Sequence, residues 1–308
     1  MKSKAAWTVL IVALVLGFEF IYLFWEVGRS VSTQTAEQNL PLAAAEAADV
    51  AEEEASETSN WGTVTDGTEQ YRGFLLDNVL HSTDNGDIHY NVYIPESYDG
   101  SRPYALYVTL PGYEGLYFQG VAANLRSEAF GFEAQSYNNE MIILAPQLND
   151  WGETSANQTI ALTEYFLNEY NIDSDKVYGN GYSGGGETMS IVMGKRPDLF
   201  TAYLQVSSQW DGAYEPVAAQ RLPVYLAIGR NDEYYGSAPT QRAYDALHAL
   251  YEQQGLTDDE INRLLVLDIK EHSYFTEQNA PNEHGGGGLF AYDKEIMGWL
   301  FSQERGIT

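Results

Sequence analysis

One serine in this chain stands where its hydroxyl can act as a nucleophile. In Lys176-Val-Tyr-Gly-Asn-Gly-Tyr-Ser-Gly-Gly-Gly186 the central pattern is G-x-S-x-G, with Ser183 at its middle. The flanking residues read as a short buried strand, then a sharp turn, then a helix beginning near Glu187. That is the context of a nucleophile elbow, which lifts a serine hydroxyl above the edge of a sheet. Glycine is required at 181 and 185, because a Cβ at either place would collide with the neighbouring strand or helix. A G-x-S-x-G match alone is a weak signal. The rest of the chain has to supply a base, an acid and oxyanion donors.

A serine hydroxyl is a poor nucleophile until a base takes its proton, and histidine is the side chain suited to that at neutral pH. The chain has five: His81, His89, His248, His272 and His284. In elbow hydrolases the partners follow in the order serine, acid, histidine, so His81 and His89 drop out. His248 lies beside Leu247 within a helical pattern, where a structural or surface role fits better. His284 sits in Asn282-Glu-His-Gly-Gly-Gly-Gly288, a glycine-rich loop ahead of the last helix, and is preferred over His272. The acid is expected after the strand Pro223–Ile228, in Gly229-Arg-Asn-Asp-Glu233. Asp232 is the natural candidate to orient the imidazole, with Glu233 as alternative. Of the two oxyanion donors, one is the amide of Gly184, after the nucleophile. The other belongs to Leu110-Pro-Gly-Tyr-Glu-Gly115 and is assigned to Tyr113, with Gly112 as alternative.

The elements that must position these groups alternate strand and helix. Tyr104–Leu110, Met141–Ala145, Val177–Gly179, Pro223–Ile228 and Leu264–Ile269 are apolar runs of the kind that form buried parallel strands. Residues 81–93 read as a hairpin turning at Asp84-Asn-Gly-Asp87. Helical faces recur at Leu162, Tyr165, Phe166 and Tyr170, at Ala243, Leu247, Leu250 and Tyr251, and at Tyr292, Ile296, Trp299 and Leu300. Thr257-Asp-Asp-Glu260 is a capping box. This predicts an α/β fold, a mostly parallel sheet with helices on both faces.

Composition narrows the partners. The 308 residues carry 44 acidic and 16 basic side chains, a net charge of -28, which disfavours nucleic acid and anionic membrane surfaces. The absence of cysteine excludes disulfides and Cys-based zinc sites. No metal constellation is evident, and no cofactor is expected. Lys2 and Lys4 precede the apolar run Ala5–Phe18, interrupted by Glu19 and resumed over Phe20–Trp25. Residues 1–29 therefore read either as a cleaved signal peptide, with Ser30-Val-Ser32 as a passable cleavage site, or as a transmembrane anchor over residues 5–27. Either one exports the remainder of the chain, so the expected location is extracellular, secreted or tethered by the N-terminus. Residues 30–70 contain no Lys or Arg and read as an acidic disordered linker. Residues 71–308 are the catalytic domain.

These residues resemble the α/β-hydrolase superfamily, and within it secreted bacterial esterases related to feruloyl and acetyl-xylan esterases and polyhydroxybutyrate depolymerases, grouped with the prolyl oligopeptidase-like serine hydrolases. The likeness covers about Tyr90 to Phe301. It rests on Val108-Thr-Leu-Pro-Gly-Tyr113, on Ala145-Pro-Gln147 with Trp151 shortly after, on Val177–Gly186 continuing to Arg196-Pro-Asp-Leu-Phe200, and on His284 followed by Phe290-Ala-Tyr-Asp293 and Trp299-Leu-Phe301. In the family the catalytic histidine lies about this far ahead of a closing Trp-Leu helix, which supports His284. The chain departs from the family at the oxyanion loop, where Pro111 replaces the usual histidine. The resemblance implies a serine carboxylesterase acting on small acyl or polysaccharide-linked esters through Ser183, His284 and Asp232. Residues 30–70 are too short and polar for the β-propeller that gates oligopeptidases, so esterase is preferred to peptidase. A binding module on a catalytically dead hydrolase fold is the other alternative. Aromatic residues make up 13% of the chain. Tyr113, Trp151, Trp210, Tyr234 and Tyr235 lie on loops expected near the catalytic edge, and Trp151 and Trp210 are the expected substrate-binding pair.

Overall fold

The uniformly apolar runs become the central strands of one sheet. The computed structural model describes residues 62–305. Its ten strands are β1 (Thr63–Thr65), β2 (Glu69–Tyr71), β3 (Phe74–Ser82), β4 (Gly86–Tyr93), β5 (Tyr104–Leu110), β6 (Met141–Pro146), β7 (Ile172–Tyr182), β8 (Ala202–Val206), β9 (Val224–Gly229) and β10 (Leu265–Lys270). The order across the sheet is β1-β3-β4-β6-β5-β7-β8-β9-β10, with β2 paired to β3 off this path. From β6 to β10 all pairs are parallel, whereas β1, β3 and β4 pair antiparallel, as does β4 with β6. Every residue of β5, β6, β8 and β9 is buried, while β3 alternates buried and half-buried positions. That contrast follows from place: helices cover both faces of the parallel part, and the outer hairpin is less enclosed.

Two apolar clusters fill the two faces. On one, Leu106, Val108 and Leu110 pack with Phe166 of helix Glu153–Glu169, Met189 and Val192 of helix Gly184–Lys195, and Leu247 of helix Ala238–Gln253. On the other, Ala105 and Tyr107 pack with Leu125, Phe130 and the closing helix Lys294–Ser302 through Ile296, Met297 and Leu300. The capping box forms as expected: Thr257 Oγ1 accepts the Glu260 amide, and the Glu260 carboxylate accepts the Thr257 amide at 2.7 Å.

The topology fixes where a site belongs. After β5 the chain moves to one side to form β6, then returns past β5 to form β7 on the other. The loops leaving β5 and β7 therefore diverge at the carboxyl edge, which opens the crevice in which such sheets bind ligands. Those loops carry Pro111–Gly115 and the Ser183 turn.

Three sequence expectations need correction. Strand β8 was absent from the expected set, because Ala202-Tyr-Leu-Gln-Val206 is short and a buried glutamine interrupts it. The linker does not run to residue 70: β1 and β2 lie within 62–71 and pair with β3. Edge strands satisfy their backbone through the ladder and need little apolar burial, so polar composition hid them. The membrane tether, and the extracellular or tethered location built on it, are also withdrawn: among the described residues no helix is long and apolar enough to cross a membrane. The segments 1–29 and 30–61 lie outside the described residues.

Candidate active site

Strand β7 ends at Tyr182, and helix Gly184–Lys195 starts two residues later, so the chain reverses within Ser183. Ser183 adopts φ 53° and ψ −127°, a conformation that costs a non-glycine residue roughly 1–3 kcal/mol. The surroundings enforce it. A Cβ on Gly185 would lie 2.5 Å from the carbonyl oxygens of Leu110 and Pro111, and one on Gly181 would meet the backbone of Gly185 and Gly186. Helix and strand thus approach at backbone distance, as the spacing of the glycines predicts.

Ser183 Oγ stands 3.1 Å from His284 Nε2, and His284 Nδ1 stands 2.9 Å from Asp232 Oδ2. The Asp232 side chain is buried, and its other oxygen accepts the amides of Tyr234 at 3.0 Å and Tyr235 at 2.8 Å. With both oxygens engaged, one is committed to the imidazole, which fixes the Nδ1–H tautomer. The histidine is held as firmly. Tyr182 Oη donates to the His284 carbonyl at 2.8 Å, and the Tyr182 ring lies parallel to the imidazole with centroids 6.0 Å apart. Glu233 accepts the amides of Glu283 at 3.1 Å and His284 at 2.9 Å. Burial acts to raise the Glu233 carboxyl, but these two amides outweigh it and hold it below the usual carboxylate range. Glu233, the alternative acid, therefore laces the acid loop to the histidine loop, while Asp232 is the residue on the imidazole. His272, the alternative base, points elsewhere: it is mostly exposed and pairs with the buried Glu283 at 2.9 Å.

Ser183, His284, Glu233 and Tyr182 line a cleft of about 570 Å³. Trp151 forms one wall, its ring over Gly184 so closely that a Cβ there would overlap it. Trp210 does not reach the cleft. It is buried against Tyr203 and Tyr214 and donates its indole N–H to the Gly212 carbonyl at 3.0 Å, so its expected substrate contact is replaced by packing. Tyr113, Tyr234 and Tyr235 do line the cleft, joined by Tyr182. At the oxyanion loop, the Gly112 amide donates to Glu128 Oε1 at 2.7 Å. The amides of Tyr113 and Gly184 make no hydrogen bond among the described residues.

Sequence reasoning missed Glu128 and Glu187 as members of this wall. Glu187, in the first turn of the elbow helix, accepts from Tyr235 Oη at 2.8 Å; burial raises its carboxyl, that hydrogen bond opposes the rise and nearby Asp211 adds to it. Its place one helical turn after Ser183 was the signal available; Glu128, in an irregular segment, offered none. The structure also gathers one group of metal-ligand type among the described residues, His248, Glu252 and Asp258, whose ligand atoms lie within 4.8 Å of one another. It was not foreseen, and its members do not line the cleft.

A family model described as the prolyl oligopeptidase family matches residues 147–261. No curated protein sequence matches the chain. Among solved structures, a thermostable esterase superposes with a TM-score of 0.62 at 20% identity, over 76% of this chain and 64% of its own. The Staphylococcus aureus fluorophosphonate-binding serine hydrolase FphF superposes with a TM-score of 0.50 at 13% identity, over 75% of this chain and 98% of its own. The chain has an α/β-hydrolase fold. The likeness to these solved structures is one of fold, and the family model reaches residues 147–261 alone. The Leishmania major oligopeptidase B is matched over 37% of its own length, with a TM-score of 0.47 at 14% identity and over 74% of this chain. The thermostable esterase, too, is matched over less than two-thirds of its length.

Proposed function

We propose that the chain is a serine carboxylesterase for small acyl esters of acetyl or feruloyl type. The observation that carries this reading is the continuous relay from Ser183 Oγ through His284 to the buried Asp232, opening onto a cleft walled by aromatic rings. Ser183 gives its proton to His284 Nε2 as Oγ bonds to the ester carbonyl carbon, and the carbonyl π electrons move onto oxygen. The amides of Tyr113 and Gly184 donate to that oxyanion; losing one such donor costs about 3 kcal/mol in the transition state. On collapse the C–O bond to the alcohol breaks, and the departing oxygen takes the proton from Nε2. Water, deprotonated by the same nitrogen, then hydrolyses the acyl-enzyme and restores Ser183. Asp232 orients the imidazole throughout. Trp151, Tyr234 and Tyr235 offer flat faces on which a phenolic acid or sugar ring can stack.

The prolyl oligopeptidase family match over residues 147–261 favours a second reading, a peptidase acting on short peptides. A panel of p-nitrophenyl esters and aminoacyl amides, run on the wild type and on Ser183→Ala, separates the two. Turnover of the esters, absent in Ser183→Ala, with amides left intact is expected. Preferential amide cleavage favours the peptidase, and ester turnover that survives the substitution sinks both.

A further inference from the structure

The loop after β5 closes as a tight turn, the Gly115 amide donating to the Gly112 carbonyl at 3.0 Å and the Leu116 amide to the Tyr113 carbonyl at 3.3 Å, and few of its side chains anchor it. Pro111 has no amide hydrogen and Gly112 no side chain, while the side chains of Tyr113 and Glu114 are exposed. Side chains outside the turn tie it down, Gln119 Nε2 reaching the Tyr113 carbonyl at 3.5 Å. Gln147 Nε2 donates to the Gly115 carbonyl at 3.3 Å, at the far end of the turn. At the near end, next to Ser183, the tie is Glu128, whose Oε1 accepts the Gly112 amide at 2.7 Å. Glu128 itself stands on a fixed base. It comes directly after helix Ala123–Ser127, whose buried Asn124 donates to the Ala145 carbonyl at 3.0 Å and accepts from Asn91 at 2.9 Å.

We propose that Glu128 is the positioning residue of the oxyanion loop: by accepting the Gly112 amide it fixes the turn in which the next amide, that of Tyr113, is left free to receive the oxyanion. The inference rests on the serine hydrolase reading. Were Glu128 a mere filler, an apolar side chain would serve as well, and no carboxyl would be needed in a place that penalises its charge.

That penalty gives the proposal a second readout. Burial pushes the Glu128 carboxyl up to about 8, the Gly112 amide pulls it down, and Glu114 on the adjacent turn adds to the rise. Tyr107 of β5 and Tyr182 at the end of β7 lie near enough to feel its charge, and Glu233 and His284 share the cleft. Among the described residues no lysine or arginine lines the cleft to offset it. Arg126, two residues away, donates to the Val121 carbonyl and faces the Tyr71 ring. Glu128 is half-buried, and its raised carboxyl takes on charge at a higher pH than an ordinary glutamate. A carboxylate one residue from an oxyanion donor opposes the developing negative charge, so turnover falls as pH rises through about 8.

The test is steady-state hydrolysis of p-nitrophenyl acetate across pH by the wild type, Glu128→Gln and Glu128→Ala, with Ser183→Ala as control. Glutamine keeps the acceptor oxygen and mimics the neutral acid. It should retain kcat within about 3-fold at pH 7 and lose the alkaline decline, because no charge forms. Alanine should lower kcat by roughly 10- to 100-fold with KM little changed, less than outright removal of a donor. An alanine variant with wild-type kcat overturns the proposal. So does a glutamine variant that keeps the wild-type pH profile, a result open to measurement even if the alanine variant fails to fold. If the wild type itself shows no Ser183-dependent turnover, the hydrolase reading falls and takes this one with it; the two failures are therefore distinct.

Discussion

The two candidates for the base, His272 and His284, differ in what their Nδ1 atoms meet. His284 pairs with Asp232 and presents Nε2 to Ser183, whereas His272 pairs with Glu283 on a mostly exposed side chain. The expected consequence is asymmetric. His284→Ala should lower kcat/KM by about 10⁴-fold, since the nucleophile loses its base. His272→Ala should stay within a few-fold, because it removes only a brace on the histidine loop. Kinetics of the two variants on one ester substrate decide it, and the reverse order would overturn the assignment of the base. At this scale the meeting of Ser183, His284 and Asp232 was legible, because the G-x-S-x-G pattern sets the order in which partners are sought along the chain. Trp210 was not: nothing in Gln209-Trp-Asp211 tells whether an indole turns out to a cleft or in toward Tyr203.

The site is assembled by elements that must meet within tight limits. Strand β5 and the elbow helix approach so closely that the Gly185 Cα faces the carbonyls of Leu110 and Pro111. Any side chain there forces Pro111–Gly115 away from Ser183. Gly185→Ala should therefore destabilise the fold by about 1–3 kcal/mol, as overpacking of a tight contact does, and lower Tm by several degrees, readable in a thermal melt. An unchanged Tm would show that the contact has slack. The continuous apolar runs made the parallel strands legible, since burial on both faces leaves a strong compositional mark. Strands β1 and β2 left no such mark: their stabilisation is a hydrogen-bond ladder on the flank of β3, which polar threonines and glutamates join as well as any residue. The second lacing, from Glu233 to the amides of Glu283 and His284, was equally silent, because a carboxylate accepting backbone amides leaves no pattern in sequence.

Across the molecule the charge and the topology act together. The chain carries a net charge of -28, and among the described residues its cleft has Glu114 and Glu233 in its walls, beside Glu128 and Glu187 whose carboxyls burial raises, and no lysine or arginine. Such a field favours neutral or cationic esters over anionic ones. The reversal of strand order around β5 places Pro111–Gly115 and the Ser183 turn on opposite lips of one crevice, and the segments after β9 and β10 bring Asp232 and His284 to the same edge. The central claim is that this edge holds an activated serine. Mass spectrometry of the purified protein after exposure to a fluorophosphonate tests it most directly. The account predicts one covalent adduct, mapped to the peptide bearing Ser183 and absent from His284→Ala. No adduct, or one on another serine with ester turnover intact, would contradict it.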